Sequence, residues 1–388
     1  MAQFGPSPHV ATILASYNCS AACKHCCFDS RPGIKQRLSL EEIKKFILSA
    51  SSFPSMRLIV FSGGECFLLG RDLDRGVDYA RSLGLMTRCV SNAYWASTLE
   101  KAKRRLNTLY DAGLGELNVS TGDYHQSFVK EDNIINAAEA AISIGISSMV
   151  IVVELQKERR VTASTVSSNP RLVNLLADEE FAKKLKIIES PWMPNSHDEI
   201  IGQSPGLLLN RSTVMQRRGC DSILTTLVAT PQPNKIGICC GLSLERFPEV
   251  NIDWKEGQSL QDLYDQCAQD FIKIWLYVDG PERILAWAGS IDSSINWEKR
   301  YAHHCHACLA VFNDSKTLTV IREHYHERVD DVLLRYAVMS RHSRDNLKRS
   351  RAIGRGPGVC VALPAVGPVP VRASPAKLSY TGEGRPRS

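Results

Sequence analysis

The sequence has no apolar run near the ~20 residues needed to cross a bilayer. Its strongest candidate, Ser148-Met-Val-Ile-Val-Val-Glu154, reads as a buried strand. No basic stretch precedes an apolar one at the N-terminus, so a secretory signal is not expected and a cytoplasmic location follows. No internal repeat is visible. The formal charge of +6 gives little basic surface to the body of the chain: residues 341–388 carry +8 and the rest −2. Without a basic face, nucleic-acid binding is not expected. Thirteen cysteines are an odd number, which excludes a fully paired disulfide framework, and reduced clustered cysteines in the cytoplasm point to metal or redox chemistry.

Apolar residues make up 44% of 388, enough for a sizeable core and about two domains. Strands and helices alternate through the first half. Strands are predicted at 9–16, 56–61, 86–90, 116–120, 148–154 and 186–188. Helices are predicted at 39–50 (Ser39 and Glu42 forming a capping box), 71–82, 98–111, 132–143 and 178–184. That rhythm implies parallel βαβ units, and six strands suit an open barrel better than a complete eight-stranded one. After residue 200 the pattern changes. A hairpin is expected around Pro231-Gln-Pro-Asn234, a helix at 259–275 and a long helix at 316–340. The Gly-, Pro- and Arg-rich segment 350–388 reads as disordered. The expected division is 1–200, 201–340 and a tail 341–388.

Cys19-x3-Cys23-x2-Cys26 follows the first strand. Three thiolates on one loop can hold three irons of a cubane cluster and leave the fourth open. The same loop could hold zinc, with Cys27 or His25 as fourth ligand. Ser62-Gly63-Gly64-Glu65 follows the second strand, Ser91-Asn92 the third and Ser120-Thr-Gly-Asp123 the fourth, with His125 nearby. Glu154 ends the fifth.

Cys19-x3-Cys23-x-His25-Cys26 with Gly63-Gly64-Glu65 at the next strand end resembles the signature of the radical S-adenosylmethionine (SAM) superfamily. The resemblance covers roughly residues 9–190. It implies an α/β fold with a partial (β/α)6 barrel, a [4Fe-4S] cluster on Cys19, Cys23 and Cys26, and SAM as cosubstrate. It also implies that His25, Gly63, Gly64, Glu65, Ser91, Asn92 and Ser120 contact SAM, and that an electron donor such as flavodoxin or ferredoxin is needed. Ala93 stands where the family usually has Gly, and Gly122 and Asp123 are transposed. Further on, Cys220 and Cys239-Cys240 resemble the start of a SPASM/twitch extension. With Cys305-x2-Cys308 they give a second ligand set of Cys220, Cys239 (or Cys240), Cys305 and Cys308 in a small Cys-rich α+β region. That set implies an auxiliary [4Fe-4S] cluster. Zinc is the alternative, because His303, His304 and His306 interleave with these cysteines. Members with auxiliary clusters often modify ribosomally made peptides. Only eighteen residues precede Cys19, so a leader peptide would dock on another surface or on a separate protein. A small-molecule substrate such as a sugar or alcohol, and a non-catalytic metal protein, are the other readings.

Overall fold

The computed structural model describes residues 5–191, 193, 203, 205–232, 234–240 and 248–340. The expectations for 341–388, including the disordered tail and Cys360, lie outside the described residues, as do most of 194–204 and Pro233 at the hairpin turn.

The alternation read from the sequence is present. It runs β1 (Val10–Leu14), α1 (Leu40–Ser51), β2 (Leu58–Ser62), α2 (Arg71–Ser82), β3 (Met86–Ser91), α3 (Leu99–Ala112), β4 (Glu116–Thr121), the short α4 (Asp123–Gln126), α5 (Glu131–Ile144) and β5 (Ser148–Leu155). Three short helices, α6 (Ala163–Ser167), α7 (Pro170–Leu176) and α8 (Glu179–Lys184), then lead to β6 (Leu185–Pro191). Local chemistry explains the boundaries. Ser39 and Glu42 close the expected capping box on α1. Left-handed Gly113 and Gly145 end α3 and α5.

Strands β1 to β6 pair in sequence order and in parallel. Each crossover helix therefore lies on the sheet, and every strand's carboxyl end falls on the same side. Ile13, Ile59, Phe61, Leu117 and Ile151 pack under Phe46, Leu73, Leu106 and Ile135 from the helices.

The region after residue 200 does not form a sheet of its own. Strand β7 (Thr226–Ala229) pairs in parallel with β1, and β8 (Lys235–Gly237) and β9 (Asn251–Asp253) add antiparallel beyond it. The nine strands make one sheet of order β6-β5-β4-β3-β2-β1-β7-β8-β9. The expected hairpin is thus β7–β8, with Asn234 in the left-handed region (φ 61°).

Two expected helices are interrupted. The 259–275 helix divides into α9 (Leu260–Cys267) and α10 (Phe271–Ile291), because Asp270 caps a new start on the Lys273 amide. The 316–340 helix begins as α12 (Ser315–His324), tightens to 3-10 geometry over Tyr325–Arg328, and resumes over 329–340. Between them lies α11 (His304–Asn313). Helix α10 is itself broken at Gly280 (φ 77°), followed by Pro281.

Candidate functional site

The carboxyl ends of β1 to β6 surround a cavity of about 280 Å³. Its wall carries Cys19, Cys23, His25, Cys26 and Cys27 from the loop after β1, and Gly63 and Gly64 after β2. Ser91, Asn92, Ser120, His125 and Glu154 complete it from later strand ends. Sites in open α/β sheets sit at this end, where loops from successive strands converge.

The two glycines close the distance between β2 and the cysteine loop. A Cβ on Gly63 (φ 128°) would lie 2.5 Å from the Ser16 carbonyl, and one on Gly64 only 2.3 Å from that of Asn18. The contact they permit is hydrogen-bonded: Gly64 N–H donates to Ser16 O (2.6 Å) and Glu65 N–H to Asn18 O (3.0 Å).

Glu65, 1% exposed, lies behind the cavity wall. Its carboxylate accepts from the amide of Phe67 (3.0 Å), the hydroxyl of Ser91 (2.9 Å) and the amide of Asn92 (2.8 Å). Burial pushes its pKa up to about 7 against these donors. Its oxygens face the β3 turn, so Glu65 braces β2 to β3. Ser91 serves the same brace, also accepting from Trp95 Nε1 (2.9 Å). Ala93 adopts the left-handed geometry (φ 62°) that glycine would take.

Asn92 reaches the cysteine loop. Its Nδ2 donates to Cys19 Sγ (3.5 Å) and Ser20 Oγ (3.0 Å). The amides of Ala21 and Ser30 donate to Cys19 and Cys26 sulfurs, each at 3.4 Å. Burial pushes the Cys19 thiol up to about 11, with Glu65 and Cys26 adding to it. Burial, Cys19 and Cys26 push Cys23 up to about 12. Thiols that crowd each other out of ionising, yet receive N–H donors at sulfur, form a donor set that a multivalent cation completes. Four ligands at ~2.3 Å from one zinc lie roughly 4 Å apart. The three sulfurs of Cys19, Cys23 and Cys26 do not form a group with all members within 4.8 Å of one another.

Sequence reasoning gave little weight to the opposite wall. Glu154, 5% exposed, meets His25 Nε2 (3.3 Å) and His125 Nδ1 (3.2 Å), and accepts from the Tyr124 amide (2.9 Å). His25 stacks on Tyr124 with centroids 5.0 Å apart. Burial, then His125, lowers the His25 pKa to about 4. Gly122 (φ 146°) makes room, since a Cβ there would lie 2.0 Å from Glu154 Cγ. Asp123 turns away to hold Arg160 (Nε, 3.3 Å). Cys23, His25 and His125 form the one tight group of possible ligand atoms among the described residues, all within 4.8 Å.

His303, from the distant extension, also lines the cavity. Its Nδ1 accepts from the Cys305 amide (3.0 Å), capping α11. No periodicity in the sequence announces this approach.

The second cysteine set gathers behind His303. Cys240 Sγ lies 3.6 Å from Cys305 Sγ. Cys240, burial and Cys220 push the Cys305 thiol well above its ordinary value, and burial, Cys220 and Cys240 do so for Cys308. Of the pair Cys239-Cys240, both open as ligands from the sequence, Cys240 is the one whose sulfur meets Cys305. Cys239 packs into the hydrophobic core. No three of these sulfurs lie within 4.8 Å of one another. Cys66 and Cys89 are buried, and Cys267 packs against the core.

No protein-family model matches the chain. A putative peptide biosynthesis protein of Bacillus subtilis (strain 168), YydG, is 28% identical over 121 residues, 31% of this chain and 38% of that protein. A probable GTP 3',8-cyclase of Methanopyrus kandleri is 31% identical over 189 residues, 46% of this chain and 55% of that protein. The matched segments thus span between two fifths and just over half of these curated relatives. Among solved structures, native anSMEcpe with bound AdoMet and Cp18Cys peptide overlaps at TM-score 0.48 with 11% identity, covering 81% of this chain and 99% of that one. Streptococcus suis SuiB bound to precursor peptide SuiA overlaps at TM-score 0.42 with 12% identity, covering 76% of each chain. The parallel sheet with a three-cysteine loop at its carboxyl end, joined to the curated matches, is the arrangement that the resemblance to the radical SAM superfamily implies.

Proposed function

We propose that this chain reductively cleaves SAM and uses the resulting radical to modify a peptide. The observation that carries the first half is the convergence of Cys19, Cys23 and Cys26 with Gly63, Gly64, Asn92 and Ser120 on one cavity. The three cysteines would hold a [4Fe-4S] cluster with one iron left open. When bound, cluster and SAM supply a 5′-deoxyadenosyl radical that abstracts a substrate hydrogen, with the electron delivered by a donor such as flavodoxin or ferredoxin.

The chain's own residues do the positioning. Amide donors and Asn92 stabilise negative charge at the cysteine sulfurs. Gly63 and Gly64 let the β2 end close over the loop. Glu154 fixes the rings of His25 and His125 on the wall, with Ser120 beside them as a polar contact for the cosubstrate. Buried walls exclude water from a reactive intermediate. Cys220, Cys240, Cys305 and Cys308 would supply cysteine ligands to an auxiliary iron–sulfur cluster, a reading supported by the mutual approach of their thiols. A reduced cluster suits the cytoplasm.

Peptide as substrate rests on the resemblance to the peptide biosynthesis protein, and a separate leader-binding protein is its natural partner. The match to a probable GTP 3',8-cyclase favours a small-molecule substrate as the second reading.

The test is anaerobic reconstitution with iron and sulfide, followed by SAM and dithionite. 5′-Deoxyadenosine should form in the wild type and fall to background in Cys23→Ala. Its absence from iron-loaded wild type would overturn the reading. Peptides encoded beside the gene, and GTP, are then offered in parallel, and a mass change decides between the substrate classes.

A further inference from the structure

The extension carries three interleaved histidines, and the structure gives each a different task. His303 spends Nδ1 on the α11 cap and faces the cavity. His306 is buried, edge-on against Tyr301 (4.8 Å). His304 is the one turned into the second cysteine set.

Its surroundings are built for it. The break in α10 at Gly280 starts a new helical segment with Glu282, which is 3% exposed. Glu282 Oε2 lies 2.6 Å from His304 Nδ1. The same break receives the preceding strand of chain: a Cβ on Gly219 would lie 1.8 Å from the Tyr277 carbonyl, and Cys220 N–H donates to Leu276 O (2.8 Å). Cys220 is thereby set beside the His304 ring, whose buried Nε2 lies on the side of that sulfur. With Glu282 against Nδ1, Nε2 is the nitrogen left toward the cysteines, and this carboxylate–histidine arrangement is the one that orients metal ligands.

We propose that His304 is a ligand of the second metal centre, bound through Nε2 and held by Glu282. The proposal rests on the reading that this cysteine set binds an iron–sulfur cluster. Its donors then number five: His304, Cys220, Cys240, Cys305 and Cys308. Cys240 and Cys305, with sulfurs 3.6 Å apart, are closer than thiolates on different irons of one cube. One of that pair stands aside, and four ligands remain.

The experiment uses the full chain with Cys19, Cys23 and Cys26 all changed to alanine, so that only the second centre is loaded. It is reconstituted with ferrous iron and sulfide, reduced with dithionite and measured by pulsed EPR. A strongly coupled nitrogen should be present, and should vanish in His304→Cys while iron content stays within about a fifth, because a thiolate can replace the imidazole. His304→Ala should lose at least half of the iron. Iron bound with no coupled nitrogen, or with coupling that persists in His304→Cys, overturns the assignment of His304. A background variant that binds no iron overturns the second cluster itself, and the assignment with it.

Discussion

Ala93 shows how a single residue can read as a mismatch and yet keep the geometry. The sequence reading met alanine where glycine was expected, and the backbone there is left-handed. That conformation costs an L-residue about 1–2 kcal/mol, partly recovered through the unfolded state. Ala93→Gly should therefore raise the unfolding free energy by up to about 1 kcal/mol in urea titration, leaving iron content unchanged. Glu65 makes a second case. Because its folded pKa lies near 7, above the ordinary carboxyl value, the stability it confers is complete below about pH 4.5 and lost as pH rises to 7. The 2.5-unit gap from 4.5 bounds that loss at about 3 kcal/mol. The difference in stability between wild type and Glu65→Gln should shift by up to that amount across this window, and a flat difference would refute it. The cysteine triad and the Gly-Gly pair were legible because ligands on one loop are close in sequence. Glu65's true partners were not, because the Phe67, Ser91 and Asn92 donors meet it only once β2 and β3 are paired.

At the scale of elements, the first six strands and their crossover helices could be read directly. Each buries a continuous apolar run or one helical face, and the signals are local. The Gly63-Gly64 turn is the element most exposed to small changes. Gly64→Ala would drive a methyl into the Asn18 carbonyl, pushing the cysteine loop away from β2. Expected outcomes are a drop of at least tenfold in 5′-deoxyadenosine formation and partial loss of iron, with circular dichroism little altered. The broken helices were less legible. Asp270 starts a helix where the apolar stripe ran on, and Gly280-Pro281 interrupts α10 in the middle of an apolar sequence. Periodicity records which face is buried, not where the axis turns.

On the scale of the whole molecule, a buried carboxylate anchors the last helix. Asp279, 4% exposed, meets Arg335 Nη1 (2.6 Å) and accepts from Trp275 Nε1 (2.9 Å). Arg328 and Arg283 stand at 3.8 and 3.6 Å. Arg335→Ala leaves that charge less compensated, and should lower stability by about 1–3 kcal/mol, measured as a fall in Tm. The β7–β1 pairing has a further consequence. A boundary drawn at residue 200 passes through a hydrogen-bonded sheet, so the two halves share a cooperative unit. Calorimetry of the intact chain should then show one heat-absorption peak where two independent domains would give two. A fragment ending at 200 would bare the β1 edge, and should self-associate through it.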